Sequence, residues 1–171
     1  ITMYIKEYSG KLSAFCGCGI AAGTGMACAL AFMRNADEEA ITMVIQNMAS
    51  GLTGMICDGG NHGCTMKGIV AVDAAFRAAD MAMDGVCIED IHGINGRTPE
   101  DTMRNMGLIA SPGMVQTEKT IVEIMEQKYT SERVGMKEDK KHGNNNNRNN
   151  SSRNNNGGNK SGRNSSSVDS M

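Results

Sequence analysis

The stretch MKGIVAVDAAFRAADMAMDG, residues 66–85, predicts a helix that runs from about Lys67 to Met83 and is stopped by Gly85. Apolar side chains occur on nearly every side of this helix, which is typical of a helix that is largely buried. Such a helix needs neighbours on several sides. We therefore expect other parts of a longer chain, or another subunit, to cover it.

Two segments on either side of this stretch carry helix signals of their own. In NADEEAITMVIQNM, Asn35 is the predicted N-cap and Glu38 its capping-box partner, and apolar residues follow at helical spacing. In TPEDTMRNMG, Thr98 is the predicted N-cap, Pro99 occupies the first helical position, and Gly107 ends the helix.

The remaining segments predict a last helix and no strand. TEKTIVEIMEQK favours a short amphipathic helix capped by Thr117. No segment alternates in the manner of a half-exposed strand, although residues 88–94 are compatible with an extended conformation. The predicted fold class is therefore mostly α, with glycine-rich turns and a disordered tail.

Composition divides the chain into a body and a tail. The 171 residues suffice for one domain of ordinary size, and with 40% hydrophobic but only 4% aromatic residues its core should be aliphatic and rich in methionine and alanine. Residues 137–171 are mainly asparagine, serine, glycine and basic residues, which predicts disorder. With the boundary between Lys128 and Met136, we predict a domain at 1–130 and a disordered tail at 131–171.

Charge and hydropathy argue against nucleic acid and against a membrane as partners of this chain. Residues 1–128 hold nine lysines and arginines against fifteen aspartates and glutamates, a balance that argues against nucleic-acid binding by the body. No apolar run reaches the roughly 18–20 residues that span a bilayer, and no signal peptide opens the chain. We therefore expect a cytoplasmic protein with reduced cysteines. Because the chain begins at Ile1, we also expect it to be a piece of a longer protein.

The six cysteines fall into two groups. Cys28 and Cys87 lie in ordinary apolar or turn sequence and fit a packing role. The others have glycine beside them, which lets backbone approach a bulky ligand and leaves amide N–H groups free to point at sulfur. These four cysteines are Cys16, Cys18, Cys57 and Cys64.

The spacing of these four cysteines does not favour zinc. Cys16 and Cys18 are too close, and Cys57 and Cys64 too far apart, for the usual zinc-binding pairs, and a redox Cys-x-x-Cys is absent. An iron–sulfur cluster is less strict about spacing because its irons are spread over a larger object. On spacing alone, a cluster with one open iron and no metal at all are equally good interpretations.

Three blocks of sequence carry a family resemblance. They are YIKEYSGKLSAFCGCGIAAGTG at the start, GLTGMICDGGNHGCTMKG about forty residues on, and NMGLIASPGMVQTEKTIVEIM near the end of the body. In this order they resemble the C-terminal part of the L-cysteine desulfidase family, which is related to the iron–sulfur L-serine dehydratase alpha chains. The second block is the most specific, since family members usually read GMICDGAK there and then GCALK. Together the blocks cover residues 1 to about 127.

The resemblance implies a mostly helical fold, in which this chain would be a helical C-terminal catalytic lobe, and a 4Fe-4S cluster held by three cysteines. It also implies β-elimination, of L-cysteine to pyruvate, ammonia and sulfide in the desulfidase, or of L-serine to pyruvate and ammonia in the dehydratase. The GMICDG block leans toward cysteine. By this match Cys57 and Cys64 take two ligand positions, and the third falls in the CGC turn, where we choose Cys18 and keep Cys16 as the alternative.

Three polar residues beside these ligands are candidate substrate-binding residues. Asp58 and His62 flank the ligands, and Lys67 matches the family's lysine and could pair with a carboxylate, although ordinary turn or surface roles fit all three equally well. GGNH replaces the GAK-type sequence of the family after Asp58.

The resemblance also implies that the base that removes the α-proton comes from the N-terminal half of the family protein, a half that we expect to lie outside this chain. The expected partners are a small amino-acid substrate and that half as a second chain, or another copy of this chain. A non-catalytic fragment that keeps only the cluster-binding fold stays as the alternative.

Overall fold

The computed structural model describes residues 1–10 and 13–130 of the chain. Residues 1–125 form one compact unit. Its helices, in chain order, are α1 (Thr2–Ser9), α2 (Gly23–Phe32), α3 (Glu38–Leu52), α4 (Gly63–Met83) and α5 (Pro99–Leu108). A π-helical turn, Gly17–Ala22, leads into α2, and another, Ile109–Gly113, follows α5. Residues 115–125 are helical, and so are residues 126–130, which belong to a second unit.

The predicted fold class, mostly α, is confirmed. The described residues contain no β-strand, only one isolated antiparallel bridge between Phe15 and Ile56. Residues 88–94 form turns and irregular backbone rather than an extended segment. Among the helices of the described residues, none combines the length and the apolar character needed to cross a membrane. The predicted tail, 131–171, lies outside the described residues.

Helix α4 lies against both α2 and α3, which also pack on each other. Every buried residue of α4 is an alanine: Ala71, Ala75, Ala78, Ala79 and Ala82. Small side chains let α2 come close, and a Cβ added at Gly23 would lie 3.2 Å from the Cβ of Ala71. The fully buried Val44, Ile45 and Met48 of α3 belong to the same core.

The outer face of α4 is not covered by residues 1–125. The sequence predicts a helix that other parts of a longer chain, or another subunit, would cover, and its large apolar residues, among them Ile69 and Phe76, are exposed in this chain. Burial within residues 1–125 is confined to the alanine face. The sequence places the lower boundary of this helix at Lys67, whereas α4 begins at Gly63, and Gly85 ends it in the left-handed region at φ 72°.

Helix α1 packs against α5, and one glycine makes this contact possible. A Cβ on Gly107 would overlap the side chain of Tyr8 and lie 3.1 Å from its backbone carbonyl carbon. The prediction that Gly107 ends the helix is therefore wrong, since α5 continues to Leu108 and then into the π-helical turn. This glycine serves close packing rather than termination.

The capping predictions have different outcomes. Thr98 caps α5 as predicted, because its hydroxyl accepts a hydrogen bond from the backbone N–H of Asp101 at 3.1 Å. Thr117 is not an N-cap, since the last helical segment begins at residue 115.

The predicted cap of α3 is also wrong. Asp37 caps this helix through its carboxylate, which accepts a hydrogen bond from the N–H of Ala40 at 2.8 Å. Asn35 has φ 63° and lies in the turn that follows α2. Asparagine tolerates this left-handed conformation better than other non-glycine residues. Asn35 therefore belongs to the turn that ends α2 and does not cap α3.

Candidate cysteine site

The turn that carries Cys16 lies against the turn that carries Cys57. The backbone N–H of Cys57 donates to the carbonyl of Ala14 at 2.6 Å, and that of Cys16 donates to the carbonyl of Met55 at 3.1 Å. These two bonds lie on either side of the isolated antiparallel bridge between Phe15 and Ile56. Along paired segments, successive side chains point to opposite faces. Cys16 and Cys57 therefore lie on the same face of the pair as diagonal neighbours, a relationship in which Cα atoms are roughly 7–8 Å apart.

Cys16 is buried and organises the first turn of the π-helix. Its sulfur accepts a hydrogen bond from the backbone N–H of Gly19 at 3.4 Å, and its carbonyl accepts one from the N–H of Ile20 at 2.8 Å. A Cβ added at Gly19 would overlap Sδ of Met55 and lie 3.3 Å from Sγ of Cys16. Glycine at this position thus allows an amide, a thiol and a thioether to meet.

The other two glycine-flanked thiols of the predicted set differ in environment. Cys57 is half-buried against the hydrophobic core. Cys64 lies in the first turn of α4 and is exposed, and its thiol donates to the carbonyl of Gly59 at 3.4 Å. Gly59 has φ 97°, a conformation that strains any residue with a side chain, so the loop between Cys57 and Cys64 depends on glycine here.

Cys18 occupies a different place from the other three. It is exposed within the π-helical turn, two residues beyond the segment that pairs with the Cys57 turn. A cation lies next to this turn, because Nζ of Lys6 is 3.4 Å from the position that a Cβ of Gly17 would occupy. Lys6 is not among the predicted site residues, because it belongs to α1 and approaches the CGC turn only in the folded chain.

Lys67 and Asp58 form an ion pair between α4 and the loop before it. The hydrogen bond from Lys67 lowers the pKa of the Asp58 carboxyl, even though partial burial acts the other way. The same bond raises the pKa of Lys67, and attraction by Cys16 and Cys64 raises it further. The Lys67 ammonium is therefore within electrostatic range of two thiols from different turns.

The loop between the two thiols of the second turn is held by Asn61. Its side-chain oxygen accepts a hydrogen bond from the N–H of Gly63 at 2.7 Å, and its amide group donates to the carbonyl of Asp58 at 3.4 Å. His62 is exposed and makes no capping hydrogen bond to α4. Of the three predicted substrate-binding residues, Asp58 and Lys67 thus pair with each other, and His62 lies beside them on the surface.

Cys28 and Cys87 agree with their predicted packing role. All six cysteines are free thiols. Cys28 is buried in the core, and this burial raises the pKa of its thiol to about 12, so that it stays protonated at neutral pH. Burial also raises the pKa of the half-buried Cys87.

The donors in and near these turns are of the kind that an iron–sulfur cluster uses. Cys16 and Cys57 lie in the paired turns, Cys64 lies at the start of α4, and an amide donates to the Cys16 sulfur, a contact that stabilises negative charge on sulfur. Within residues 1–10 and 13–130, no three His, Cys, Asp or Glu side chains meet in a group suited to one metal ion. A cluster is larger than an ion, so its ligands do not need to converge on a single point.

Comparison with known proteins decides the family. The family described as serine dehydratase alpha chain matches residues 1–123. The chain belongs to this family. The predicted relationship to the serine dehydratase alpha chains is therefore confirmed, and the narrower desulfidase specificity stays a prediction.

Several curated relatives are similar to the same part of the chain. A UPF0597 protein of Clostridium botulinum strain Hall is 50% identical over 125 residues, which are 73% of this chain and 29% of that protein. A UPF0597 protein of Elusimicrobium minutum is 43% identical over 125 residues, which are 73% of this chain and 30% of that protein. One of Caldanaerobacter subterraneus is 41% identical over 128 residues, which are 75% of this chain and 30% of that protein. The chain spans about three tenths of the length of these relatives. No solved structure matches it.

Proposed function

We propose that this chain is the cluster-binding part of an iron–sulfur lyase that carries out β-elimination on a small L-amino acid. One observation carries the proposal: in a member of the serine dehydratase alpha chain family, backbone hydrogen bonds hold the turns of Cys16 and Cys57 side by side. Two thiols so placed, with a third at the start of the next helix, form the donor set that a cluster with one open iron requires.

The proposed ligands are Cys16, Cys57 and Cys64. Cys16 replaces Cys18, the choice made from sequence, because Cys16 lies in the paired segment on the same face as Cys57. The Lys67 ammonium, which is within electrostatic range of Cys16 and Cys64, supports the same choice. Cys18 is exposed and outside the pairing, and it stays as the alternative ligand.

The residues around the thiols have separate tasks in this proposal. The Gly19 amide donates to the Cys16 sulfur and so stabilises negative charge on it. Lys67 offsets the charge of the thiolates, and Asp58 holds its ammonium in place. When bound to three thiolates, a 4Fe-4S cluster supplies a Lewis acid for the departing group.

L-cysteine is the first substrate we propose. With one water, its β-elimination and the hydrolysis that follows give pyruvate, ammonia and sulfide. The GMICDG block carries this choice. L-serine, which gives pyruvate and ammonia, is the second candidate, and the printed description of the matching family favours it. We assign no base for the α-proton within residues 1–130 and expect it from the part of the family protein outside the matched segment.

Pyruvate release tests the proposed function. We would use the full 171-residue chain and a chimera in which residues 1–125 replace the matched segment of the Clostridium botulinum relative. Both are loaded anaerobically with iron and sulfide, and pyruvate from L-cysteine or L-serine is measured with lactate dehydrogenase. The chimera should release pyruvate from one of the two, and its Cys57→Ala variant should not. An iron-loaded chimera that releases pyruvate from neither amino acid contradicts the proposal.

A further inference from the structure

Helix α4 presents its small residues to the core and its large apolar residues to solvent. Four of the large residues are spaced three, four and seven positions apart, which places them along one side of the helix. They are Ile69, Val72, Phe76 and Met83, with side chains that are 49%, 40%, 46% and 41% exposed. We call these four residues the α4 stripe.

The α4 stripe has the character of a contact surface rather than of a solvated face. Its spacing is the one by which a helix packs against a second helix or fills an apolar groove. A row of exposed apolar side chains on one side of a helix marks a contact surface more often than scattered apolar residues do. Two carboxylates border the stripe: Asp80 is paired with Arg34 of the turn after α2, so its charge opposes burial less than a lone carboxylate would, and Asp73 is exposed between Ile69 and Phe76.

The stripe lies on the same helix as two residues of the cysteine site, but on a different side of it. Cys64 and Lys67 lie in the first turns of α4, and Ile69 follows two residues after Lys67. Residues two positions apart in a helix do not face each other, so Lys67 points away from the stripe. A partner that covers the stripe reaches the thiol site only if it also extends past the start of α4, where it would exclude water and bring groups that residues 1–130 do not provide.

The length of the relatives indicates what covers the stripe. The matched segment makes up only 29–30% of each of them, so most of a family chain lies outside it. We propose that the α4 stripe is the docking surface for that remaining part of the family protein. The further statement that docking completes the catalytic site rests on the proposed function.

Thiol labelling at a single stripe position tests this docking. In a Phe76→Cys variant, we would compare maleimide labelling of the full chain with labelling of the chimera, resolved by peptide mass spectrometry. Docking predicts labelling slower by about tenfold or more in the chimera, since thiol reactions depend on access. Ala75→Cys, on the buried face, should label slowly in both proteins, and Glu100→Cys, on the exposed start of α5, rapidly in both.

Several outcomes would overturn the proposal. One is a chimera in which Phe76→Cys labels as fast as in the full chain while Ala75→Cys stays protected. Another is slow labelling of Phe76→Cys already in the full chain. If this protection increases with protein concentration, a second copy of the chain covers the stripe. If it does not, residues of the same chain cover it. Neither result involves iron or turnover, so a chain that docks without releasing pyruvate contradicts only the proposed function.

Co-purification provides a second measurement in case the chimera does not fold. The tagged full chain is co-expressed with the remainder of the Clostridium botulinum relative as a separate polypeptide. The wild-type chain and a Glu100→Lys control should retain this polypeptide on the column, and Phe76→Glu should lose it. A folded wild-type chain that retains none of it overturns the proposal.

Discussion

The backbone N–H of Cys16 donates to the carbonyl of Met55 at 3.1 Å, across about forty residues of sequence. This bond fixes which residues of the two turns face each other, because side chains of paired segments alternate between two faces. It places Cys16 on the face of Cys57 and leaves Cys18 beyond the paired segment. The choice of ligand within the CGC turn follows from this register.

A Gly19→Ala substitution should disturb the site more than the fold. The new Cβ would overlap Sδ of Met55 and press on the sulfur of Cys16. We expect a loss of about 1–3 kcal/mol in the free energy of unfolding, the usual cost of overpacking, and lower iron uptake on reconstitution. Urea unfolding and iron content measure both effects. Gly51→Ala is the matched control, since a Cβ there meets nothing within 4 Å, and equal behaviour of the two variants would contradict the prediction.

Alkylation of the chain should separate exposed from structural thiols. At pH 8, iodoacetamide should modify Cys64 and Cys18 first and Cys28 last, because Cys28 is buried and its pKa is raised to about 12. Peptide mass spectrometry over time gives the order, and in urea the three rates should become similar. Native-state modification of Cys28 at the rate of Cys64 would show that the core is not packed as described.

The buried Cys28 thiol also predicts a pH dependence of stability. The pKa of this thiol is raised in the folded chain. Below the unfolded value of about 8.5, the thiol is protonated in both the folded and the unfolded chain, and it then causes no pH dependence of stability. Above that pH the unfolded chain loses the proton first, and stability falls as the pH rises toward 12. Urea midpoints between pH 7.5 and pH 10 should fall less in Cys28→Ala than in the wild type. If the urea midpoint falls equally with pH in the two proteins, the raised pKa of Cys28 is refuted.

Lys67→Met should weaken the hold on iron without unfolding the chain. The ammonium is within electrostatic range of Cys16 and Cys64, and its removal leaves thiolate charge less compensated. We expect iron to be lost to a chelator several times faster than from the wild type. The exposed Lys119→Met is the control, and circular dichroism reports on folding. Unchanged iron release in Lys67→Met would remove this residue from the site.

Local signals in the sequence account for the parts of the fold that were predicted well. The cap and proline at Thr98 and Pro99 define the start of α5, and Gly85 ends α4, because these effects involve only neighbours along the chain. Gly107 was misassigned because its reason is a contact with Tyr8 of another helix. Asn35 was misassigned because asparagine favours both helix starts and left-handed turns.

The cysteine site was predictable in composition but not in arrangement. Glycine neighbours indicated two turns, and the structure places these turns side by side, yet Cys16 and Cys18 share one of them, and only pairing with a distant segment separates the two. The hydrogen bond from the N–H of Gly63 to the Asn61 side chain was not predicted, because the sequence places the start of this helix at Lys67 rather than at Gly63. The apolar character of α4 predicts the need for cover from outside this chain, but it does not predict which side of the helix residues 1–125 leave exposed.

The central claim is that Cys16, Cys57 and Cys64 jointly hold one iron–sulfur cluster, and single cysteine-to-alanine variants test it most directly. The full chain and each variant are reconstituted anaerobically, and iron, acid-labile sulfide and the Mössbauer spectrum are measured. We predict about four iron atoms per wild-type chain in a cubane cluster, loss of most of this iron in Cys16→Ala, Cys57→Ala and Cys64→Ala, and retention in Cys18→Ala and Cys28→Ala. A wild-type chain that binds no iron, or variants in which Cys18→Ala loses the cluster and Cys16→Ala keeps it, would contradict the account.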